Sequence, residues 1–418
     1  MRLRPTRFSS LIAAATAAVT AAALAGCGGA ASAQGTGPPI LVGVSLPLTG
    51  AFASDGQAFE RGYQLWQSDV NGHGGLLGRQ VKLVIRNDNS SPTKVVSDYR
   101  TLISADHVDL TLGPFSSLLT TPAATEVARY GYAMIEGAGT ADSVFQSPSN
   151  EKSHNLFSPS LPVADYMQPL IAWIKSLPAS ERPKTAAYPS ADDPFAVPAV
   201  TTAQKQLANL GITTVYQKVF SEVASAYKAP AAAVAASNAQ IVVLGSTDVP
   251  TVSTFMSTFE RQHYTPKIFI AVSGPDQGQA FLGTVGKANA SGMMVPGGWN
   301  GAFHNALSYS MVEEYVAKYG GTAAGINADV AEAFSTGQVA ADAVTATRGT
   351  DNTKIMRYLH SGVTLQTVQG PAKFTALGEN PKGAAFVFQW QDGSFNQVLP
   401  VSDPGSAQLI YPKPGWGS

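Results

Sequence analysis

From Ile40 onward the chain alternates short apolar runs of strand length with longer stretches of helical periodicity, and no other feature narrows its architecture as much. Ile40 to Leu46 is nearly continuous in apolar residues, the pattern of a strand covered on both faces, as in a parallel sheet. Phe59, Tyr63, Trp66 and Val70 then recur at steps of four, three and four, which puts one apolar stripe on a helix ending near Asn71-Gly72. Strand Val81 to Ile85 follows. The alternation continues through the helix face Val95, Val96, Tyr99, Leu102 and Ile103, strand Val108 to Leu112, helix Leu118 to Tyr130 and strand Tyr132 to Ile135. Strands separated by crossover helices pair in parallel.

After Phe157-Ser158-Pro159 the pattern restarts. Helices are expected over Val163 to Leu177, Phe195 to Leu210, Ala226 to Ala236 and Val249 to Gln262. Strands fall between them at Thr185 to Tyr188, Val215 to Phe220, Ile241 to Leu244 and Lys267 to Val272. Two successive α/β runs predict two doubly wound parallel-sheet lobes, consistent with a chain longer than the roughly 250–300 residues that one core organises. The last part is mainly helical, at Asn305 to Tyr319, Ala328 to Thr347 and Thr353 to Ser361. It closes on a hairpin of Ala385 to Trp390 and Phe395 to Leu399 around Asp392-Gly393.

Ahead of Ile40 the sequence has a different character. Arg2, Arg4 and Arg7 precede an uncharged stretch from Phe8 to Ala25, the basic and apolar regions of a secretory signal. Cys27 is the only cysteine, and it ends Leu24-Ala25-Gly26-Cys27, which resembles the bacterial lipobox. Residues 1–26 are read as a signal peptide, Cys27 as the lipidated N-terminus, and residues 27–39 as a Gly-rich tether with a reach of roughly 20 Å. An ordinary secretory peptide cut after Ala31-Ser32-Ala33 is the alternative. With no other thiol, the exported part folds without disulfides. Once the leader's arginines are gone the charge is mildly acidic, which argues against nucleic acid as a partner.

The order of elements carries a resemblance. Val44-Ser-Leu-Pro-Leu-Thr-Gly50, Gly62, Asn71-Gly-His-Gly-Gly-Leu-Leu-Gly78, Asp88, Gly113-Pro-Phe-Ser-Ser117 and Ala138-Gly-Thr140 resemble the N-terminal lobe of branched-chain amino acid-type substrate-binding proteins of ABC importers. Gly370, Phe374, Gly378 and Val387-Phe-Gln-Trp390 with Asp392-Gly393 resemble their C-terminal part. The resemblance implies the type I periplasmic binding fold: an α/β protein of two lobes joined by three hinge crossings, near Pro159 to Pro162, Val295 to Gly298 and Gly370. Lobe 1 would comprise 40–160 with 298–370, and lobe 2 would comprise 161–297 with 371–418. The ligand would lie between the carboxyl ends of the two sheets.

Candidate binding residues follow from that cleft. Ser116 and Ser117 end a strand and open a helix, where hydroxyls and free amides suit an anion, although one of them can simply be the N-cap. The resemblance assigns the ligand's carboxylate to Ser117, Ala138 and Thr140. Phe195, after the first strand of the second lobe, is either a ligand contact or the first core residue of its helix. An acid for a ligand ammonium is expected after strand Lys267 to Val272. Ser273 falls at that position and Asp276 stands three residues late, so Asp276, Asp248 and Asp55 are all candidates. Phe115, Phe52 and Trp299 would suit an apolar side chain or belong to the core.

Enzymatic signatures are missing from the sequence. It contains no Gly-x-Ser-x-Gly elbow, no Walker loop and no complete Gly-x-Gly-x-x-Gly, and its six histidines, His73, His107, His154, His263, His304 and His360, are scattered. Asp192-Asp193 before Pro194 reads as a helix cap. No metal or cofactor is expected. Three functions fit: capture of an amino acid for a membrane permease, the same role for an aromatic or other small acid or amide, or a sensory ligand-binding module. The expected partners are the ligand, an ABC permease and the lipid anchor, with the protein a monomer at the outer face of the cell membrane.

Overall fold

The computed structural model describes residues 37–303 and 305–417. The expected signal peptide, Cys27 and most of the expected tether lie outside the described residues, as does His304. Among the described residues no helix is long and apolar enough to cross a membrane.

Two sheets organise the chain. The first contains β1 (Ile40–Leu46), β2 (Val81–Asn87), β3 (Leu110–Leu112), β4 (Met134–Ile135) and β5 (Leu156–Phe157), in the order β2-β1-β3-β4-β5. All its pairings are parallel. β1 is buried on both faces at all but Leu41, as its apolar run requires.

The second sheet adds β6 (Thr185–Ala191), β7 (Thr213–Phe220), β8 (Ile241–Leu244), β9 (Ile268–Ala271) and β10 (Met293–Gly297). The pair β11 (Leu365–Thr367) and β12 (Gly370–Ala372) stands apart as a small antiparallel ribbon. β13 (Phe386–Gln391) and β14 (Ser394–Leu399) form the expected hairpin, and β13 joins β10 antiparallel, giving the order β14-β13-β10-β9-β8-β6-β7. The helix read over Val163 to Leu177 is divided into a single 3-10 turn, Val163–Asp165, and a helix, Gln168–Ser176. Pro169 sits in the second position of the latter, where its missing N–H costs nothing.

The long helix Ala53–Gly72 buries Phe59, Tyr63, Leu65 and Trp66, each fully buried aromatic contributing about 1.5–3 kcal/mol. It packs against helix Asp329–Thr347 from the far end of the chain. Two glycines permit that crossing. A Cβ on Gly62 would stand 2.4 Å from the Val330 carbonyl oxygen, and one on Gly337 would stand 2.3 Å from the Trp66 indole. The close approach fixes the N-terminus of helix Asp329–Thr347 against the carboxyl end of the first sheet.

The chain passes between the sheets at three places that are neighbours in space. Asn380 donates from one Nδ2 to the Pro159 carbonyl at 2.7 Å and to the Pro371 carbonyl at 3.1 Å. Ser160 Oγ donates to Gln369 Oε1 at 3.2 Å. A Cβ on Gly298 would be 3.6 Å from Leu161 and 4.0 Å from Gln369, which brings the segment after β10 to the same point.

Candidate functional site

A cleft opens between the carboxyl ends of the two sheets. From the first sheet it is lined by Phe115 and Ser116 after β3 and by Ala138 and Thr140 after β4. The second sheet supplies Asp193 and Phe195 after β6, Thr247 after β8, and Val272, Ser273 and Asp276 after β9. Tyr166 enters from the first crossing, and Asp329 and Glu332 from the first turn of helix Asp329–Thr347.

The wall on the first sheet is rich in hydrogen-bonding groups. Ser116 is the N-cap of helix Ser117–Ala128: its Oγ accepts from the Leu119 N–H at 3.3 Å, and its backbone has φ 75°. A non-glycine residue there stores roughly 1–3 kcal/mol of strain, a cost met at ligand sites. Ser117 is not part of the lining; its Oγ accepts from the Ala141 N–H at 3.3 Å and ties the helix to the loop after β4. Glu136, fully buried, accepts from the Gly139 N–H within the same loop, so Ala138 and Thr140 are held from behind. Burial raises the Glu136 carboxyl to about 7.

Aromatic rings fill the middle. Phe195 and Tyr166 meet edge to face at 5.6 Å, and Phe115 packs on Phe52 and Phe59, each also at 5.6 Å. Phe52 and Trp299 are core residues; the Trp299 Nε1 donates to Ser308 Oγ at 2.8 Å.

Acidic groups dominate the remainder. Asp276 is turned back on its own loop, its Oδ1 accepting from the Gly274 N–H at 2.7 Å and from Ser273 Oγ at 3.3 Å. This turn brings an acid three residues beyond Ser273 into the same cleft. Burial raises its carboxyl to about 6. Asp193 caps helix Ala196–Ala208 by accepting from the N–H groups of Phe195 at 2.7 Å and Ala196 at 3.0 Å, while its Oδ2 is buried without a partner. Of the other acids expected here, Asp248 caps helix Val249–Arg261 through the Thr251 N–H at 2.8 Å and is not in the lining. Asp55 lies behind Asp329, 1% exposed, and does not reach the lining either. The Asp55 and Asp329 carboxyls are within reach of each other, and both are pushed well up, first by burial and then by neighbouring acids. Glu332 is raised for the same reasons, with Asp329 and Asp276 as its nearest charges.

Sequence reading did not find Tyr166, Thr247, Val272, Asp329 and Glu332, and it assigned Asp193 to capping alone. The available signal was the pair Asp329 and Glu332, three apart and therefore on one face of an otherwise apolar helix.

A family model described as periplasmic binding protein matches residues 39–394. The chain is 33% identical over 106 residues to the Leu/Ile/Val-binding protein homolog 2 of Brucella abortus, a stretch covering 25% of this chain and 28% of that protein. To an amino acid binding protein of Pseudomonas aeruginosa it is 33% identical over 101 residues, covering 24% and 27%. The matched stretch thus spans little more than a quarter of these relatives. In fold the chain is similar to the substrate-binding protein LivJ of a Streptococcus pneumoniae branched-chain amino acid transporter, in complex with isoleucine. The TM-score is 0.74 at 17% identity, covering 85% of this chain and 97% of that one. It is also similar to a solute-binding protein of an ABC transporter from R. palustris, in complex with benzoate, with TM-score 0.72, 17% identity, and 89% and 99% covered. With its two α/β lobes and a match across most of its length, the chain belongs to the periplasmic binding protein family.

Proposed function

We propose that the protein is the extracytoplasmic substrate-binding component of an ABC importer and closes its two lobes, 40–160 with 298–370 and 161–297 with 371–418, around an amino acid. The carboxylate would be received at Ser116, Ala138 and Thr140, where Ser117 braces the loop. The ammonium would meet Asp276, and the side chain would run among Phe115, Tyr166 and Phe195. The observation that carries this reading is Asp276, an acid in the cleft facing a serine and threonine wall. An ammonium closed inside a protein needs such a partner. Removing one partner of a buried pair costs about 3–5 kcal/mol, so Asp276→Asn should weaken amino acid binding at least a hundredfold in titration calorimetry and scarcely affect the des-amino analogue. Equal losses for both compounds would reject the role.

The second reading, an aromatic acid, is favoured by the three rings lining the cleft and by the benzoate complex of one structural neighbour. Binding of benzoate with no response to amino acids would establish it. Delivery to a permease from a lipid anchor at Cys27 is part of the proposal. Mass spectrometry of the membrane fraction should then find an acylated peptide beginning at Cys27, and a mature N-terminus at Gln34 would exclude the anchor.

A further inference from the structure

The cleft holds more acid than one ammonium can use. Asp193, Asp276, Asp329 and Glu332 all line it, and no lysine, arginine or histidine does. The ion pairs of the described residues lie elsewhere, at Asp69, Asp98, Asp106 and Glu126.

Asp329 and Glu332 do not act as an ordinary helix cap. The helix has Ala328 at its N-cap with no side-chain bond, and the N–H of Asp329 itself donates to Asn327 Oδ1 at 2.9 Å. Asp329 is only 8% exposed, yet its Oδ2 is buried without a hydrogen-bond partner while it lines the cavity. Oδ2 of Asp55, directly behind, is equally unpartnered. Two facing carboxyls of this kind hold together by sharing a proton, and a cation brought into the cleft beside them can take that proton's place. The described residues contain no grouping of acids and histidines suited to a metal ion, which leaves an organic cation as the candidate. The backbone N–H of Ala328 donates to the Asp276 carbonyl at 3.3 Å, so the two acidic loci are neighbours in one cleft.

We propose that the ligand carries a second cationic nitrogen, as an α-amino acid with a basic side chain. Its α-ammonium rests on Asp276, and its side-chain cation is received by Asp329 and Glu332 with Asp55 behind them. Tyr166 and the ring of Phe195 cover the methylene stem between the two charges. This rests on the amino acid reading above and narrows its substrate class.

The test compares L-lysine with L-norleucine, which has the same carbon chain without the terminal ammonium, by calorimetry and thermal shift on the purified protein. Lysine should bind at least tenfold tighter than norleucine, and Asp329→Asn should lower that preference at least tenfold. Glu332→Gln, at a partly buried position, provides the same comparison should the first variant fail to fold. Norleucine binding as well as lysine, or a preference unmoved by both substitutions, overturns this inference and leaves the amino acid reading standing. A protein that binds neither compound overturns this inference, and the amino acid reading with it if no other amino acid raises the melting temperature.

Discussion

Thr140 shows how a single side chain can be assigned work that its fold does not need. It is 2% exposed, its carbonyl accepts from the Val163 N–H at 3.1 Å, and its side chain is turned to the cleft. Backbone contacts hold the loop, so Thr140→Val should leave the melting temperature nearly unchanged. It should cost about 1.5–3 kcal/mol in binding a carboxylate ligand, roughly tenfold to a hundredfold in Kd by calorimetry. Unaltered affinity would mean that the carboxylate lies elsewhere. At this scale the sequence was partly legible. Ser116, Ala138, Thr140, Phe195 and Ser273 stand after strands whose apolar runs are unmistakable, so their position at the sheet ends followed from local pattern. Asp276 stands three residues beyond the position expected for an acid, and the Asx-type turn that brings it into the cleft depends on hydrogen bonds that spacing alone does not reveal.

Elements were read more easily than their neighbours. The stripe Phe59, Tyr63, Trp66 and Val70 marked a helix that ends at Gly72, and helix Asp329–Thr347 was expected within one residue of its true start. That these two helices pack together was invisible, since 276 positions of chain separate their starts at Ala53 and Asp329 and the contact depends on glycines that look unremarkable in sequence. The acidic first turn reaches the cleft only because of that contact. Gly337→Ala would drive a methyl into the Trp66 ring, and overpacking of this kind costs about 1–3 kcal/mol. The urea midpoint should fall accordingly, and ligand affinity with it, because Asp329 and Glu332 ride on the same helix. A variant with wild-type stability would show that the helices can separate freely at this crossing.

For the whole molecule, the buried acids set a pH response. Asp276 is raised to about 6, and Glu136 and Glu222 to about 7, each chiefly by burial, from ordinary values of 3.8 and 4.5. An acid held protonated in the fold stabilises it at low pH. Between the ordinary carboxylate range and about pH 7 the folded state binds more protons than the unfolded one, so stability falls as pH rises. Lys413, lowered to about 8 by burial, acts in the opposite sense only above that window. The melting temperature of the ligand-free protein should therefore decline from about pH 4.5 to about pH 7.5. A flat or rising profile would mean that these carboxyls ionise without cost. The two-lobed plan itself was legible, because two βαβ series separated by Phe157-Ser158-Pro159 leave few alternatives. What the lobes share was not, since the crossings touch only through residues far apart in the chain.

Those crossings have a mechanical consequence. Because one amide of Asn380 bonds the carbonyls of Pro159 and Pro371 together, the first and third connecting segments are tied at one point. On the proposed closure that point would serve as the pivot of a lever. A small rotation gripping a ligand a short distance from it would become a larger sweep at the distant rims of the lobes, so the outer surface would report whether the cleft is filled.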